Sequence, residues 1–173
     1  MIYKDINELK HALSTNSLWA DRPIYMTSGG FDPLHIGHAR CILETGNLAN
    51  SPSRHHVGDR GLVVVVVNGD GFLYRKKGYA FMNETERMEI IDSLKGVDFV
   101  TSWDDGGQTV TGAIELLRPS YFTKGGDRNS SQNVPEFDMC EKIGCKVLFN
   151  IGGDKIQSSS ELVGNLNKMQ DDS

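Results

Sequence analysis

The stretch Thr27–Arg40, which reads TSGGFDPLHIGHAR, decides the fold of the chain. An apolar strand pattern over Ile24–Met26 leads into it, two glycines and an Asp-Pro pair end that strand, and a helical pattern follows. The turn therefore connects a strand to the N-terminus of a helix. Glycines let a ligand approach the backbone closely, and a first helical turn presents unpaired N–H groups that suit phosphate.

Two histidines in this turn, His35 and His38, are spaced so that they share one face of the helix. Two imidazoles at a helix entry can donate hydrogen bonds to phosphate oxygens, whose charge grows during attack at phosphorus. The structural alternative is a surface histidine pair with a capping role. The turn as a whole favours phosphate chemistry.

Composition limits the classes of function that the chain can have. Its 173 residues, 38% hydrophobic and 24% charged, are typical of one soluble globular domain over 1–173. The net charge of −5 argues against nucleic acid or a membrane surface as partner, so an anionic ligand must meet local basic clusters. Three cysteines without metal-ligand spacing predict a reduced, cytoplasmic protein without a metal site, and the longest apolar run, Leu62–Val67, is too short to span a bilayer.

Strand and helix patterns alternate along the chain and predict an α/β fold. Apolar spacing predicts a helix over Ile6–Ser14 within an N-terminal helical extension, 1–22, and Leu62–Val67 is typical of a strand at the centre of a parallel sheet. We expect a doubly wound, Rossmann-like parallel sheet of about five strands with helices on both faces. The polar residues 168–173 are expected to fray.

Two basic groups follow the central strand. Arg75–Lys77 lies in a segment without regular period, where contact with phosphate and a solvated charge run are both open. Arg87 sits in the first turns of a helix that begins with a capping box of Asn83 and Glu86. A cation there opposes the helix dipole, which is a hint that an anion joins it. We therefore predict that Lys77 and Arg87 hold phosphate, because neither cation has an evident structural reason.

Three later segments are also of interest. Lys124–Arg128 follows a strand and offers a lysine for phosphate and Asp127 for a hydroxyl or base. Asn133 and Glu136 form a second capping box. Three serines, Ser158–Ser160, open the last helix and can hydrogen-bond phosphate oxygens, whereas N-capping needs only one of them. The role of the predicted loop 47–61, with His55 and His56, stays open.

The turn resembles the His-x-Gly-His signature of the nucleotidyltransferase superfamily, matched by Gly30, Phe31, Asp32, His35, Gly37 and His38. Over Ile24–Val163 the order of motifs is similar to the adenylyltransferase domain of the bifunctional heptose enzyme and to glycerol-3-phosphate cytidylyltransferase. Lys124–Asp127 looks like the heptose branch, while Gly29–Pro33 looks more like nicotinate-mononucleotide adenylyltransferases. The family's late Ile-Ser-Thr-Thr block corresponds to Gln157–Ser160, which keeps hydroxyls but has lost both threonines.

The resemblance implies transfer of a nucleotidyl group from ATP or CTP to a small phosphorylated sugar or polyol, with Mg²⁺ as cofactor and without a covalent enzyme intermediate. The implied catalytic residues are His35, His38, Lys77 and Arg87. Nucleotide binding is assigned to Ser28, Gly29, Gly30, Phe31, Asp32, Gly37, Lys124, Gly125, Asp127, Ser158, Ser159 and Ser160. Substrate binding is assigned to Asp70 and Lys76.

Alternatives remain open at this level. One is a nicotinate-mononucleotide-type adenylyltransferase, and another is a catalytically silent nucleotide-binding module. A redox Rossmann enzyme and a P-loop enzyme are excluded, because the sequence lacks both glycine-rich fingerprints. The acceptor, the choice between ATP and CTP, and the oligomeric state, monomer or homodimer, are not decided by the sequence.

Overall fold

The computed structural model describes residues 1–51, 60–126 and 134–172. Within these ranges strands alternate with helices, apart from one pair of consecutive helices, which confirms the predicted α/β class. The elements are β1 (Ile2–Tyr3), α1 (Ile6–Thr15), β2 (Ile24–Gly29), α2 (Ile36–Ala49), β3 (Leu62–Asn68), α3 (Asp70–Lys77), α4 (Glu84–Asp92), β4 (Phe99–Trp103), α5 (Thr111–Leu117), β5 (Tyr121–Thr123), α6 (Phe137–Ile143), β6 (Lys146–Leu148) and α7 (Ser159–Asp171).

Strand β3 lies at the centre of the molecule, and all seven of its residues are buried. Because successive side chains of a strand point to opposite faces, its valines supply two separate cores. Val64 and Val66 pack with residues of α1, α5 and α6. Val63, Val65 and Val67 pack with residues of α2 and α4. The β-branched run thus places helices on both faces of the sheet, as predicted.

The six described strands form one parallel sheet in the order β1-β4-β3-β2-β5-β6. From β2 the chain first moves outward through β3 and β4, and then returns to the other side of β2 through β5 and β6. The direction of winding therefore reverses between β2 and β5. Beyond Met26 and Phe122 these two strands have no paired register, so a crevice forms where ligands of open α/β sheets usually bind.

The sheet has one strand more than the five that were predicted. The extra strand is β1, a two-residue edge strand that pairs with β4. It is too short to produce a periodic pattern in the sequence. The predicted N-terminal helix is confirmed as α1, and its Ile6, Leu9 and Leu13 belong to the core. The extension 1–22 thus contributes an edge strand as well as the predicted helix.

Two other segments differ from expectation. Residues 75–77, predicted to lie in an irregular segment, form the last turn of α3, which ends at Gly78 with a φ of 85°. Helix α7 runs to Asp171, past the point where fraying was predicted, and α2 extends to Ala49, into the predicted loop 47–61. Asn133, His55 and His56 lie outside the described residues. In the described part of the chain, no helix has the length and apolar character needed to cross a membrane.

Candidate active site

A cavity of about 300 Å³ lies at the carboxyl ends of β2, β3 and β5, at the reversal of winding. One wall is the signature turn, which lies within Thr27–Arg40, together with the start of α2. Two others are the end of β3 with α3, and residues 124–126 after β5. The segment 151–159, which leads into α7, forms a fourth. The sheet topology therefore brings together motifs that lie more than 100 residues apart in the sequence.

The histidine pair caps α2 through its backbone and side chains. The backbone N–H of Gly37 donates to Nδ1 of His35 at 3.1 Å, and the N–H of His35 donates to Nδ1 of His38 at 3.3 Å. The two rings stack with their centroids 3.7 Å apart. Because each Nδ1 accepts a hydrogen bond, each neutral ring carries its proton on Nε2. The capping role thus orients both imidazoles as Nε2–H donors at the cavity wall.

Gly37 makes this arrangement possible. A Cβ at this position would lie 2.9 Å from Cε1 of His35, so any side chain would push the imidazole away. Burial lowers the pKa of His35 below its ordinary value, and the positive charge of Lys155 lowers it further. At neutral pH His35 is therefore held in the neutral form, in which its Nδ1 accepts and its Nε2 donates.

The glycines of the turn lie against bulky neighbours. A Cβ on Gly29 would lie 3.0 Å from the ring of Phe31, and a Cβ on Gly30 would lie 2.8 Å from Leu73. Phe31 itself is buried and has a φ of 52°, which is unusual for a residue with a side chain. Ser28, Gly29, Gly30 and Phe31 all line the cavity, in agreement with their predicted location.

Asp32 does not line the cavity. Its buried carboxylate accepts from the backbone N–H groups of Phe81 and Met82, both at 2.6 Å, and lies 3.3 Å from Nζ of Lys77. These contacts fasten the signature turn to the segment that precedes α4. Asp32 is thus occupied within the fold, and the structure gives it a positioning role where the sequence predicted a contact with nucleotide.

The premise that Lys77 and Arg87 lack a structural reason is wrong. Lys77 donates to the carbonyl of Asp32 at 2.8 Å, and its Nζ also lies 4.7 Å from the ring centroid of Tyr79. Arg87 is fully buried, and its guanidinium donates to three backbone carbonyls and one carboxylate. Those acceptors are Met82, Gly30, Asn68 and Asp70. Neither cation lines the cavity.

Of the two predicted substrate-binding residues, Lys76 lines the cavity and Asp70 does not. Asp70 is the first residue of α3, and its carboxylate accepts from Arg87 at 2.7 Å. Lys76 lies in the last turn of the same helix, with Nζ 5.8 Å from the ring centroid of Phe72. Helix α3 therefore places Lys76 at the cavity, whereas the next residue, Lys77, donates to the carbonyl of Asp32.

The segment after β5 reaches the cavity as predicted. Lys124 and Gly125 line it, and Asp127 lies outside the described residues. Lys124 extends over Phe122 with its Nζ 4.7 Å from the ring centroid. A Cβ on the neighbouring Gly126 would lie 2.1 Å from the carbonyl oxygen of Gly153. The segments 124–126 and 151–155 are therefore in close backbone contact.

The three serines at the start of α7 have different surroundings. Ser158 is the N-cap, and its hydroxyl accepts from the N–H of Glu161 at 3.1 Å. The hydroxyl of Ser159 donates to the carbonyl of Pro33 at 2.8 Å, which ties α7 to the signature turn. Both residues line the cavity, whereas Ser160 is exposed and does not. Two of the three hydroxyls thus have structural partners already.

Four residues that line the cavity are not among the predicted site residues. One of them, Glu136, was expected in a capping box, but among the described residues its side chain makes no capping hydrogen bond at the start of α6. Lys155, Gln108, Glu136 and Asn68 all line the cavity. The strand-end position of Asn68 was a usable signal, because parallel strand ends meet at one edge of a sheet. Lys155 had a signal too, because it precedes the serines that open the last helix. Gln108 lies in an irregular segment, where no pattern indicates which side chains face a ligand.

The fold and the site together define a doubly wound α/β protein with a His-x-Gly-His turn at the reversal of its sheet. Residues 26–166 match the family described as cytidylyltransferase-like. The chain belongs to this family.

Curated relatives agree with the family. The chain is 31% identical over 147 residues to the bifunctional protein HldE of Desulfatibacillum aliphaticivorans, covering 84% of this chain and 27% of the relative. It is 33% identical over 144 residues to bifunctional protein HldE of Hahella chejuensis, covering 82% of this chain and 27% of that protein. This chain thus matches only 27% of the length of either relative.

A solved structure shares the fold. It is the lipopolysaccharide core biosynthesis protein from Thermoplasma volcanium GSS1, with a TM-score of 0.58 and 22% sequence identity. The match covers 77% of this chain and 98% of that one. At this level of identity the likeness concerns the fold.

Proposed function

We propose that this chain transfers a nucleotidyl group from ATP or CTP to a phosphorylated sugar or polyol and releases pyrophosphate. The observation that carries the proposal is the stacked pair of His35 and His38, whose Nδ1 atoms both accept backbone N–H groups beside the cavity. Both rings therefore present Nε2–H as the donor. Fixed donors of this kind stabilise charge that develops on a phosphoryl group.

The proposed reaction is a single displacement at the α-phosphorus. A phosphate oxygen of the acceptor forms a bond to the α-phosphorus, and the bond from that phosphorus to the bridging oxygen of pyrophosphate breaks. The leaving pyrophosphate takes the electron pair. The Nε2–H groups of His35 and His38 donate to the α-phosphate oxygens, and no side chain needs to form a covalent bond.

Local charge supports an anionic ligand. Although the whole chain has a net charge of −5, four cationic side chains line the cavity. They come from four different segments, namely Arg40, Lys76, Lys124 and Lys155. Cations gathered from separate elements can surround a triphosphate and stabilise the pyrophosphate as it leaves.

The proposed Mg²⁺ fits this site as a partner of the triphosphate. The described residues contain no group of three or more His, Cys, Asp or Glu side chains that could hold a metal ion. Mg²⁺ commonly binds through substrate phosphates and water, with one or two protein ligands at most. When bound, the ion would neutralise charge on the triphosphate, and the side chains of the cavity would hold the remaining oxygens.

The substrate class rests on the sequence Lys124–Asp127, which resembles the heptose branch, and on the HldE relatives. On this basis we propose ATP over CTP, a sugar phosphate as acceptor, and activity in the cytoplasm. The signature turn also resembles nicotinate-mononucleotide adenylyltransferases, so nicotinate mononucleotide belongs among the acceptors to be tested.

The test is a matrix of ATP and CTP against sugar, polyol and nucleotide phosphates with Mg²⁺, read as pyrophosphate release. We expect release with ATP and a sugar phosphate, and its loss in a variant that combines His35→Ala with His38→Ala. Calorimetric titration with each triphosphate measures the preference, and tighter binding of CTP would reverse it. If the folded wild-type protein binds nucleotide yet no pair releases pyrophosphate, the chain is a silent binding module.

A further inference from the structure

Glu136 is a buried acid that the proposed mechanism does not use. It directly precedes α6, its exposed fraction is 6%, and it lines the cavity. One carboxylate oxygen, Oε1, accepts from the backbone N–H of Val110 at 3.2 Å. The other, Oε2, has no hydrogen-bond partner in the part of the chain that the structure describes.

A buried carboxylate oxygen without a donor raises the free energy of the folded protein. Oε2 of Glu136 therefore marks a place where a ligand in the cavity can supply the missing donor. Oδ1 of Asn68 is a second buried oxygen without a described partner, and Asn68 also lines the cavity. Two acceptors without a described partner are thus present in a cavity that is also lined by histidine, lysine and arginine residues and by a second acid, Asp154.

The charge of Glu136 restricts what it can contact. Phosphate oxygens are acceptors and carry negative charge, so they are repelled by a carboxylate and belong beside the histidines and lysines. Hydroxyl groups are neutral donors, and carboxylates commonly hold the hydroxyls of a ribose in nucleotide-binding proteins. Both proposed substrates carry hydroxyls, on the ribose of the triphosphate and on the acceptor sugar.

We propose that Oε2 of Glu136 accepts a hydrogen bond from a hydroxyl of the bound ligand and makes Glu136 a specificity-determining residue. The inference rests on the proposed function, because it takes the cavity as the site of both substrates. A hydrogen bond to a charged group is roughly twice as strong as one between neutral groups. A ligand that lacks the hydroxyl should therefore bind roughly 10- to 100-fold more weakly to the wild-type protein.

The test compares wild type with Glu136→Gln, which keeps an oxygen for the N–H of Val110 and removes the charge. Glu141→Gln, on an exposed acid of α6, is the matched control. Calorimetric titrations use ATP against 2′-deoxy-ATP and 3′-deoxy-ATP for the ribose arm. The sugar arm uses glucose 1-phosphate against 2-deoxyglucose 1-phosphate. A base arm uses ATP against purine riboside triphosphate, which lacks the amino group.

We expect Glu136→Gln to reduce the preference for the hydroxylated ligand by about tenfold in one arm, ribose or sugar, which identifies the source of the hydroxyl. Glu141→Gln should change the preference for the hydroxylated ligand in neither arm. The proposal is overturned if Glu136→Gln, folded with an unchanged melting temperature, alters neither arm or alters only the base arm. Pyrophosphate release is measured in parallel, so a silent module with a shifted binding preference would disprove the enzyme function and leave this inference standing.

Discussion

His38 illustrates how one residue can serve both fold and chemistry. Its Nδ1 accepts the backbone N–H of His35, and its ring packs edge-on against Phe31 with centroids 5.1 Å apart. The same contacts that cap α2 fix the tautomer and the plane of the imidazole. The structural and functional interpretations of the histidine pair are therefore compatible.

Replacing His38 tests its role as a donor. We expect His38→Ala to lower turnover by about 10²–10³, since this is the typical loss when one fixed donor is removed. His38→Asn, which retains a side-chain N–H, should be more active than Ala. The measurement is the rate of pyrophosphate release at saturating substrates, with His11→Ala on the exposed side of α1 as control. Near-normal turnover of His38→Ala would contradict the assignment.

The titration of His35 gives a prediction with a definite sign. Because burial and Lys155 lower the pKa of His35, Lys155→Met should raise it toward the ordinary value near 6.5. In the wild type the unfolded chain binds a proton before the folded one as the pH falls. The stabilisation due to neutral His35 is therefore complete above about pH 6.5 and is lost as the pH falls through the lower, folded pKa.

Proton NMR titration of the imidazole measures this shift, and Lys146→Met on exposed β6 is the control. Melting temperatures recorded from pH 7.5 down to pH 5 should fall less steeply for Lys155→Met than for the wild type. An unchanged pKa of His35 in Lys155→Met would show that the lysine does not act on this ring.

At the scale of elements, Arg87 joins α4 to the ends of two strands. Its guanidinium reaches the carbonyl of Gly30 after β2 at 2.8 Å and also donates to the carbonyl of Asn68 at the end of β3. This explains a cation near a helix N-terminus without any ligand. The sequence indicated that the positive charge of Arg87 opposes the helix dipole. It could not show that backbone carbonyls of distant segments stabilise this charge.

Arg87→Met should therefore destabilise the protein. Methionine removes the donor from the buried carbonyl of Asn68 and from the partly buried carbonyls of Gly30 and Met82, which costs roughly 3 kcal/mol or more in free energy of unfolding. For a chain of this length, that corresponds to a fall in melting temperature of roughly 6–12 °C. Lys95→Met replaces an exposed cation and should leave the melting temperature unchanged. A stable Arg87→Met protein with weakened triphosphate binding would instead support the prediction that Arg87 holds phosphate.

Two adjacent glycines test the contact between the segments 124–126 and 151–155. A Cβ on Gly126 would meet the backbone of Gly153 and Lys155, whereas a Cβ on Gly125 would meet nothing within 4 Å. Gly126→Ala should therefore cost about 1–3 kcal/mol in free energy of unfolding, because backbone atoms must shift. Gly125→Ala should be nearly neutral. Denaturant unfolding of both variants measures the difference, and equal stabilities would contradict the close contact.

The sequence predicted elements better than side-chain partners. The buried run of β3, the helical spacing of α1 and the cap of α4 at Asn83 are local patterns, so they could be recognised directly. Strand β1 has two residues and depends on pairing with β4, so no local signal exists for it. Asp32 shows the same limit at the site, since its partners lie 49 and 50 residues away.

At the scale of the whole molecule, the chain is acidic, but basic residues gather at one cavity. The chain has 18 basic and 23 acidic residues, yet basic side chains from four segments converge at the reversal of the sheet. This arrangement disfavours binding of polyanions to the overall surface and favours binding of a small anion in one cavity. The topology that joins these segments is what the composition alone could not predict.

Mg²⁺ and the triphosphate are expected to bind to the cavity together. Because Mg²⁺ dehydrates reluctantly and commonly binds through substrate phosphates with few protein ligands, we predict that it binds together with the triphosphate. Millimolar Mg²⁺ without nucleotide should leave the melting temperature unchanged. Mg²⁺ with ATP at about 100 times its Kd should stabilise the folded state by about 2.7 kcal/mol, or roughly 5–11 °C.

Thermal unfolding with Mg²⁺ alone, ATP with EDTA, and both together measures each contribution. ATP with EDTA should produce a smaller shift than the pair, since the cavity cations must then offset all of the triphosphate charge. The variant with both His35→Ala and His38→Ala should retain most of the stabilisation, because its lost donors act chiefly on the transition state. A rise in melting temperature with Mg²⁺ alone would instead indicate a protein metal site, and Mg²⁺ would then be held before the triphosphate arrives.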